Sequence, residues 1–412
     1  MQKTFDVRVI REQFPALNRT HGGRRAVYFD GPGGSQVARP AIDAMTRYME
    51  SGGANLHGAF PTSIETEEII RNTRSTMADF LGVDPEEVAF GANMTTLTLA
   101  ISQALAKGWN GDSEIVVTEL DHRANVDPWL IAAAGAGAKV RWLRVDPETL
   151  TLDLSDLEEK VNERTRLVAV GLASNAVGTV NPVAKIAERA HEVGAILAVD
   201  AVHGAPHIPI DRDELGADII TCSAYKFFGP HVGVTAIRRD LFETINVGKL
   251  EPAPEYIPDK LETGTQNHEG IAGVGGALDF IASLGEGTSP RDKLKSAMQT
   301  IEEHEADLAD KFRAALRNLP SVTLYAAPDG VRKTPTVAFR LEGHAPEELC
   351  EHMAGRGFFV AGGDFYASTL AEKLEIRDDG GWVRAGLAPY NTGEEVDDFI
   401  EALEKFMERG QR

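Results

Sequence analysis

Residues 165–201 read TRLVAVGLASNAVGTVNPVAKIAERAHEVGAILAVDA, and the order of their parts decides the fold. TRLVAVGLAS is apolar without alternation. AKIAERAHEV carries apolar side chains at helical spacing, and AILAVDA is again apolar throughout. Strands buried on both faces read as such runs, and a connecting helix makes two of them parallel. The same rhythm continues outward. Before it lie EEVAF (86–90), a helix pattern over 95–107, SEIVVTEL (113–120), a helix pattern over 127–134 closed by Gly135 and Gly137, and AKVRWLRV (138–145). After it come ADIITCSAYK (217–226) and VGVTAIRR (232–239). The expectation is an α/β fold, a mostly parallel central sheet covered by helices on both faces.

The character changes near residue 285. GEGTSPRDK (285–293) is polar and rich in turn formers, and a long charged helix pattern runs over 293–316. SVTLYAA, TPTVAFRL, GFFVAG and GWVRAGLA read as short strands, PEELCEHMAGRG as a helix between them, and Thr392 as the N-cap of a last helix. This predicts a large α/β domain over 30–285 and a smaller α+β domain over 286–412, joined by the N-terminal segment 1–29.

Composition narrows the function. The 412 residues are 42% hydrophobic and 25% charged, which excludes a long disordered chain. With 42 Lys and Arg against 63 Asp and Glu, the net charge is −21. Such a surface repels phosphate backbones and acidic lipids, so neither nucleic acid nor membrane is expected as a partner. The two cysteines, Cys222 and Cys350, give no paired spacing for a disulfide framework or a CxxC site. The N-terminus has no uninterrupted apolar run, and a cytoplasmic location is expected.

In open α/β sheets, ligands sit at the carboxyl ends of the strands. AILAV ends in Asp200, and IITCSA in Tyr225 and Lys226, followed by FFGP. A lysine that can form a Schiff base and a carboxylate that can protonate a pyridine nitrogen are the pair that pyridoxal phosphate (PLP) needs. Desolvation beside Phe227 and Phe228 would lower the lysine pKa. Taken singly, Lys226 also reads as a strand-end lysine with its tip in solvent, and Asp200 as a helix cap. Asn93-Met94-Thr95-Thr96 opens a helix after a strand, where two hydroxyls and free N–H groups suit a phosphate as well as a plain threonine cap. His122 ends a third strand and Ser174-Asn175 a fourth. His203 and Ser223 lie three residues from Asp200 and Lys226. Asp200, His203 and His207 are poor metal ligands, because Pro206 breaks their helical spacing, and no metal is expected.

At this point the chain resembles the class V aminotransferase family, closest to its cysteine desulfurase-like branch. The resemblance rests on YFDGPGG (28–34), NMTT (93–96), ELDHRAN (119–125), SNAVGT (174–179), VDAVH (199–203), SAYKFFGP (223–230), ETGTQN (262–267) and VRAGLAPYN (383–391), in family order over nearly the whole chain. It implies a PLP-dependent transferase fold of type I, with PLP tethered to Lys226, Asp200 at the pyridine nitrogen and His122 on the ring face. It further implies Asn175 against the cofactor and His203 near the phenolic oxygen, in a place usually held by Gln. Thr95, Thr96, Ser223 and Tyr225 match the phosphate cup, Tyr225 replacing a common His. Thr265 matches a hydroxyl reaching the phosphate from the other subunit, hence a homodimer with shared active sites. Arg384 matches the group that grips the substrate α-carboxylate, and Asn55 and His57 resemble an active-site loop that touches substrate.

One departure bears on the reaction. Desulfurases of this branch carry a nucleophilic cysteine on a loop before the carboxylate-binding arginine. RGFFVAGGDFYASTL (356–370) contains none, and Ala361 stands near the place of an accompanying arginine. The expected function is therefore a PLP-dependent enzyme acting on a small α-amino acid, by C–S lyase-type β-elimination or transamination. The alternatives are a cysteine desulfurase that uses another thiol, and a catalytically silent scaffold of the same fold.

Overall fold

The computed structural model of the protein describes residues 5–410. Residues 1–4 and 411–412, the outer ends of the expected N-terminal segment and smaller domain, lie outside the described residues. The central sheet is built from β1 (Val88–Gly91), β2 (Glu114–Thr118), β3 (Lys139–Leu143), β4 (Thr165–Gly171), β5 (Ile196–Asp200), β6 (Ile219–Ser223) and β7 (Gly233–Ile237). Their spatial order is β1-β7-β6-β5-β4-β2-β3. Strands β6, β5, β4, β2 and β3 run parallel to one another, and β7 is antiparallel to both β6 and β1. The mostly parallel sheet read from the apolar runs is what forms.

Alternate side chains along each strand enter opposite layers. Val116, Val168, Val170, Leu197 and Val199 pack toward Ile186 and Ala190 of α5 (Val183–Glu192) and Ile271, Val274 and Leu278 of α6 (His268–Leu284). Ile115, Val117, Leu167, Ala169 and Ala198 pack toward Leu97 and Ile101 of α3 (Met94–Ala106) and Trp129 and Ala133 of α4 (Asp127–Ala136). Burial on both faces is why these strands lack polar alternation. The glycines of GIAGVGGAL lie inside α6, where Gly276 meets the backbone of α1 (Arg39–Glu50) rather than a nucleotide.

The second sheet is antiparallel, ordered β8 (Val322–Tyr325), β9 (Thr336–Leu341), β11 (Trp382–Gly386), β10 (Ala361–Gly363). Its apolar face meets Phe312 and Leu316 of α7 (Pro290–Arg317), Leu349 of α8 (Pro346–Ala354), and Phe399 and Leu403 of α9 (Gly393–Gly410). GFFVAG, read as one strand, divides in two. Phe358–Phe359 pairs in parallel with Val27–Tyr28, and the chain then joins β11 from Ala361 onward. The N-terminal segment reaches both cores: Phe29 lies in the small-sheet cluster, while Ile10, Phe14 and Leu17 join the large one. Thr392 accepts the Glu395 N–H at 3.2 Å and caps α9 as its sequence position predicts. Among the described residues, no helix is long and apolar enough to cross a membrane.

Candidate active site

The carboxyl ends of β2, β4, β5 and β6 open into one cavity of about 840 Å³, closed from the other side by Pro32, Gly33, Phe365, Tyr366 and Arg384. Asp200, the last residue of β5, is 8% exposed, and one carboxylate oxygen accepts the Val202 N–H at 2.8 Å. Burial raises its pKa to about 6, against the pull of the nearby Lys226 cation. Lys226 ends the short turn after β6 and is 9% exposed. Burial, with the charge of Arg384, lowers its pKa to about 7, while Asp30 and Asp200 oppose the shift. Its ammonium donates to the Pro32 carbonyl and lies 4.9 Å from the centre of the Tyr225 ring. The strand-end pair read from the sequence thus meets in one partly enclosed space.

His122 follows β2. Its Nδ1 accepts the Ala124 N–H at 2.9 Å, so the neutral ring carries its proton on Nε2. Burial and the cations Lys226 and Arg384 lower its pKa to about 4, which keeps it neutral near pH 7. His203 is buried, with Nε2 3.0 Å from Thr334 Oγ1 and 2.9 Å from Thr336 Oγ1. Burial pulls its pKa well down. His207 turns away and places Nδ1 2.8 Å from a Glu305 carboxylate oxygen, so Asp200, His203 and His207 do not converge on a point.

At the start of α3, Asn93 is the cap rather than a threonine. Its side chain accepts the Thr96 N–H at 2.9 Å, and the Thr96 hydroxyl donates to the Asn93 carbonyl at 2.9 Å. Ser223 Oγ accepts the Met94 N–H at 3.0 Å, leaving its own proton to donate. Thr95 and Thr96 are exposed at the cavity wall, where the helix N-terminus favours an anion. Tyr225 lines the same wall and stacks on His231, with centroids 4.8 Å apart and planes at 11°.

Arg384 enters from β11 and is 4% exposed. Its Nη1 donates to the Asn175 carbonyl at 2.9 Å, its Nη2 stands 3.7 Å from Asp30, and its buried Nε has no partner among the described residues. Asn175 donates from Nδ2 to the Phe365 carbonyl at 2.8 Å, while its Oδ1 is buried without a hydrogen-bond partner, and Asp30 Oδ1, the oxygen facing Arg384 Nη2, accepts no hydrogen bond. Two unpartnered polar atoms on residues lining one cavity, Arg384 Nε and Asn175 Oδ1, are what a bound polar ligand satisfies.

Thr265, Asn55 and His57 are not brought to this cavity by their own chain. Thr265 is exposed between β7 and α6. Asn55 and His57 lie on an exposed loop, where the His57 N–H donates to Glu67 at 2.6 Å. Residue-level reading missed Asp30, Asp121 and His231. Asp30 lies in the quoted YFDGPGG, and its signal was Gly33: a Cβ there would come within 2.4 Å of the Asp30 carboxylate. Asp121 accepts the Gly171 and Asn125 N–H groups, and burial raises its pKa to about 7. His231 had no signal beyond its position after Pro230. Arg123, next to His122 in the sequence, bonds Asp127 and Thr369.

The residues present fit PLP: a buried lysine, a carboxylate at a neighbouring strand end, a neutral imidazole, an anion-favouring helix start and unpaired polar atoms share one space. Comparison with known proteins gives the family. The aminotransferase class-V profile matches residues 27–399. The chain is 32% identical to an aminotransferase-like protein of Gibberella zeae, over 97% of this chain and 98% of that one. It is 31% identical to a cysteine desulfurase of an Enterobacter species, over 98% of each. Its structure superposes on the apo cysteine desulfurase of Thermococcus onnurineus with a TM-score of 0.87, at 27% identity over 97% of each chain. The match over residues 27–399, with relatives 31 to 32% identical over nearly their whole length, places the chain in the aminotransferase class-V family.

Proposed function

We propose that the protein is a PLP-dependent enzyme that labilises Cα of an α-amino acid, completing the reaction by β-elimination or transamination rather than by passing sulfur to its own thiol. The observation that carries this reading is the meeting of Lys226, Asp200 and the unpaired Nε of Arg384 in one partly enclosed cavity. PLP would be held by Lys226, Asp200, His122, Asn175, His203, Ser223, Tyr225 and the Thr95–Thr96 helix start, and supplies an electron sink for the pair left at Cα.

Arg384 grips the substrate carboxylate. Asn175 occupies its Nη1 and Asp30 stands 3.7 Å from Nη2, so Nε is the unpaired donor, and a carboxylate bound along the Nε–Nη2 edge shares Nη2 with Asp30. Lys226 then takes the Cα proton on Nζ. With a pKa lowered to about 7 by burial, a large share of the amine is free at neutral pH, which a base of this kind requires. Asp200, ionised above its raised pKa of about 6, stabilises positive charge at the far side of the cavity. His122, neutral, offers a flat face without adding cationic repulsion.

No cysteine lines the cavity. Cys222 is fully buried in β6, and burial pushes its thiol far up. Cys350 sits on α8 with its thiol pushed up to about 12, so neither supplies a thiolate near pH 7. Lys226→Ala should abolish turnover and the visible band of the tethered cofactor. The double variant Cys222→Ala, Cys350→Ala should keep product formation within about threefold of the parent, provided its melting curve is normal. Products are read by assaying sulfide, pyruvate and keto acids over a panel of amino acids. Full turnover in Lys226→Ala defeats the proposal, and loss of turnover in the folded double variant restores the desulfurase alternative. A cytoplasmic homodimer, with Thr265, Asn55 and His57 serving the neighbouring subunit's site, completes the proposal.

A further inference from the structure

Within the segment that carries no cysteine, Phe365 and Tyr366 stand side by side, and the backbone is bent to present their rings. Phe365 and Tyr366 have φ of 53° and 58°, in the left-handed region that side-chain-bearing residues seldom occupy. Four hydrogen bonds hold that bend. Asn175 Nδ2 donates to the Phe365 carbonyl at 2.8 Å, and the Arg123 N–H donates to the Tyr366 carbonyl at 2.8 Å. The Tyr366 N–H and the Ser368 hydroxyl both donate to the Asp364 carboxylate, at 3.1 and 2.6 Å. A conformation that is costly and yet tied down on both sides is a positioned feature.

The bend turns both rings onto the cavity. Phe365 lies over the Arg384 guanidinium, with its ring centre 3.7 Å from the central carbon. The Tyr366 ring centre is 5.3 Å from that of His122, with planes 33° apart, although Tyr366 is 68% exposed at the mouth. A carboxylate docked on the Nε–Nη2 edge of Arg384, sharing Nη2 with Asp30, lies in the guanidinium plane, beside the Phe365 ring. The substituent on the adjoining Cα then leaves through a mouth walled by Phe365, Tyr366 and the stacked Tyr225–His231 pair.

We infer that Phe365 and Tyr366 determine specificity, and that the amino-acid substrate carries an aromatic side chain. Flat rings gain from offset or edge-on contact with flat walls, whereas an alkyl chain of equal area gains only burial. The inference rests on the reading above, in which the α-carboxylate docks on Arg384.

The test is equilibrium titration of the holoenzyme with L-alanine, L-cysteine, L-leucine, L-methionine, L-phenylalanine, L-tyrosine, L-tryptophan and L-histidine. Binding is followed by the cofactor band and, independently, by heat. The expected result is an aromatic amino acid bound about tenfold more tightly than leucine or methionine. In Phe365→Leu and in Tyr366→Leu that ratio should fall to about threefold or less. Tyr366→Leu alters an exposed side chain, so it remains informative if Phe365→Leu does not fold. Equal affinity for leucine and every aromatic amino acid, or an unchanged ratio in the folded variants, overturns the inference and leaves the proposed function standing. Failure of every amino acid to move the band or release heat overturns both.

Discussion

Lys226 shows how one buried group links mechanism to stability. Its pKa falls from 10.5 to about 7 through burial first and the Arg384 charge second. Below pH 7 the lysine is protonated in folded and unfolded chains alike, and the folded state bears the full cost of a buried cation. Between about 7 and 10.5 the unfolded chain still holds a proton that the folded chain has released, so stability rises with pH across that window. In the cofactor-free protein, Lys226→Met should therefore be more stable than the parent at pH 6, by a few kcal/mol. The gain should shrink steadily toward pH 10. Urea denaturation at several pH values checks both sign and window, and a pH-independent difference would refute the assignment. The site residues that sequence exposed are those at strand ends, because a charged group after five apolar residues is conspicuous. Asp30 and His231 escaped because they sit on loops whose path depends on packing far away in sequence.

At the scale of elements, strand identity was legible because both-face burial removes polar alternation, and α3 through α5 follow their apolar spacing. The illegible parts are those fixed by a partner strand. GFFVAG divides only because Val27–Tyr28 pairs with its first half, a contact spanning more than 300 residues that no local pattern encodes. The start of α3 is another instance. Either an asparagine or a threonine could cap it, and the reciprocal bonds between Asn93 and Thr96 select the asparagine. Close helix approach, in contrast, is written in the glycines of α6. A Cβ on Gly276 would stand 2.3 Å from the Pro40 carbonyl, which is backbone and cannot yield. One on neighbouring Gly275 meets only the Thr73 hydroxyl, at 2.7 Å. Gly276→Ala should cost about 2–4 kcal/mol in chemical denaturation, and Gly275→Ala clearly less. Equal losses would mean that helix propensity, not contact with α1, governs both positions.

The whole molecule is tied across its two sheets by α7. Its first half buries Leu294, Met298 and Ile301 in the large core, and its second half buries Leu308, Phe312 and Leu316 in the small one. We propose units of 30–285 and 286–412, with 1–29 spanning both. The site draws on each: Lys226 and Asp200 come from the first unit and Arg384 from the second, so a shift between them would open or close the carboxylate grip. Thr265, proposed with Asn55 and His57 to serve the neighbouring subunit's site, is exposed and does not line its own chain's cavity. If it serves the other subunit, complementation should reveal it. Thr265→Asp would put a negative charge against the cofactor phosphate, and Lys226→Ala removes the tether, so each homodimer should be nearly inactive. In a mixed dimer, one site combines both lesions while the other pairs an intact Lys226 with an intact Thr265. Random reassociation of equal amounts makes about half the dimers mixed, each with one sound site, so about a quarter of parental activity should return. If Thr265 acted within its own chain, every site would keep a lesion and mixing would restore nothing.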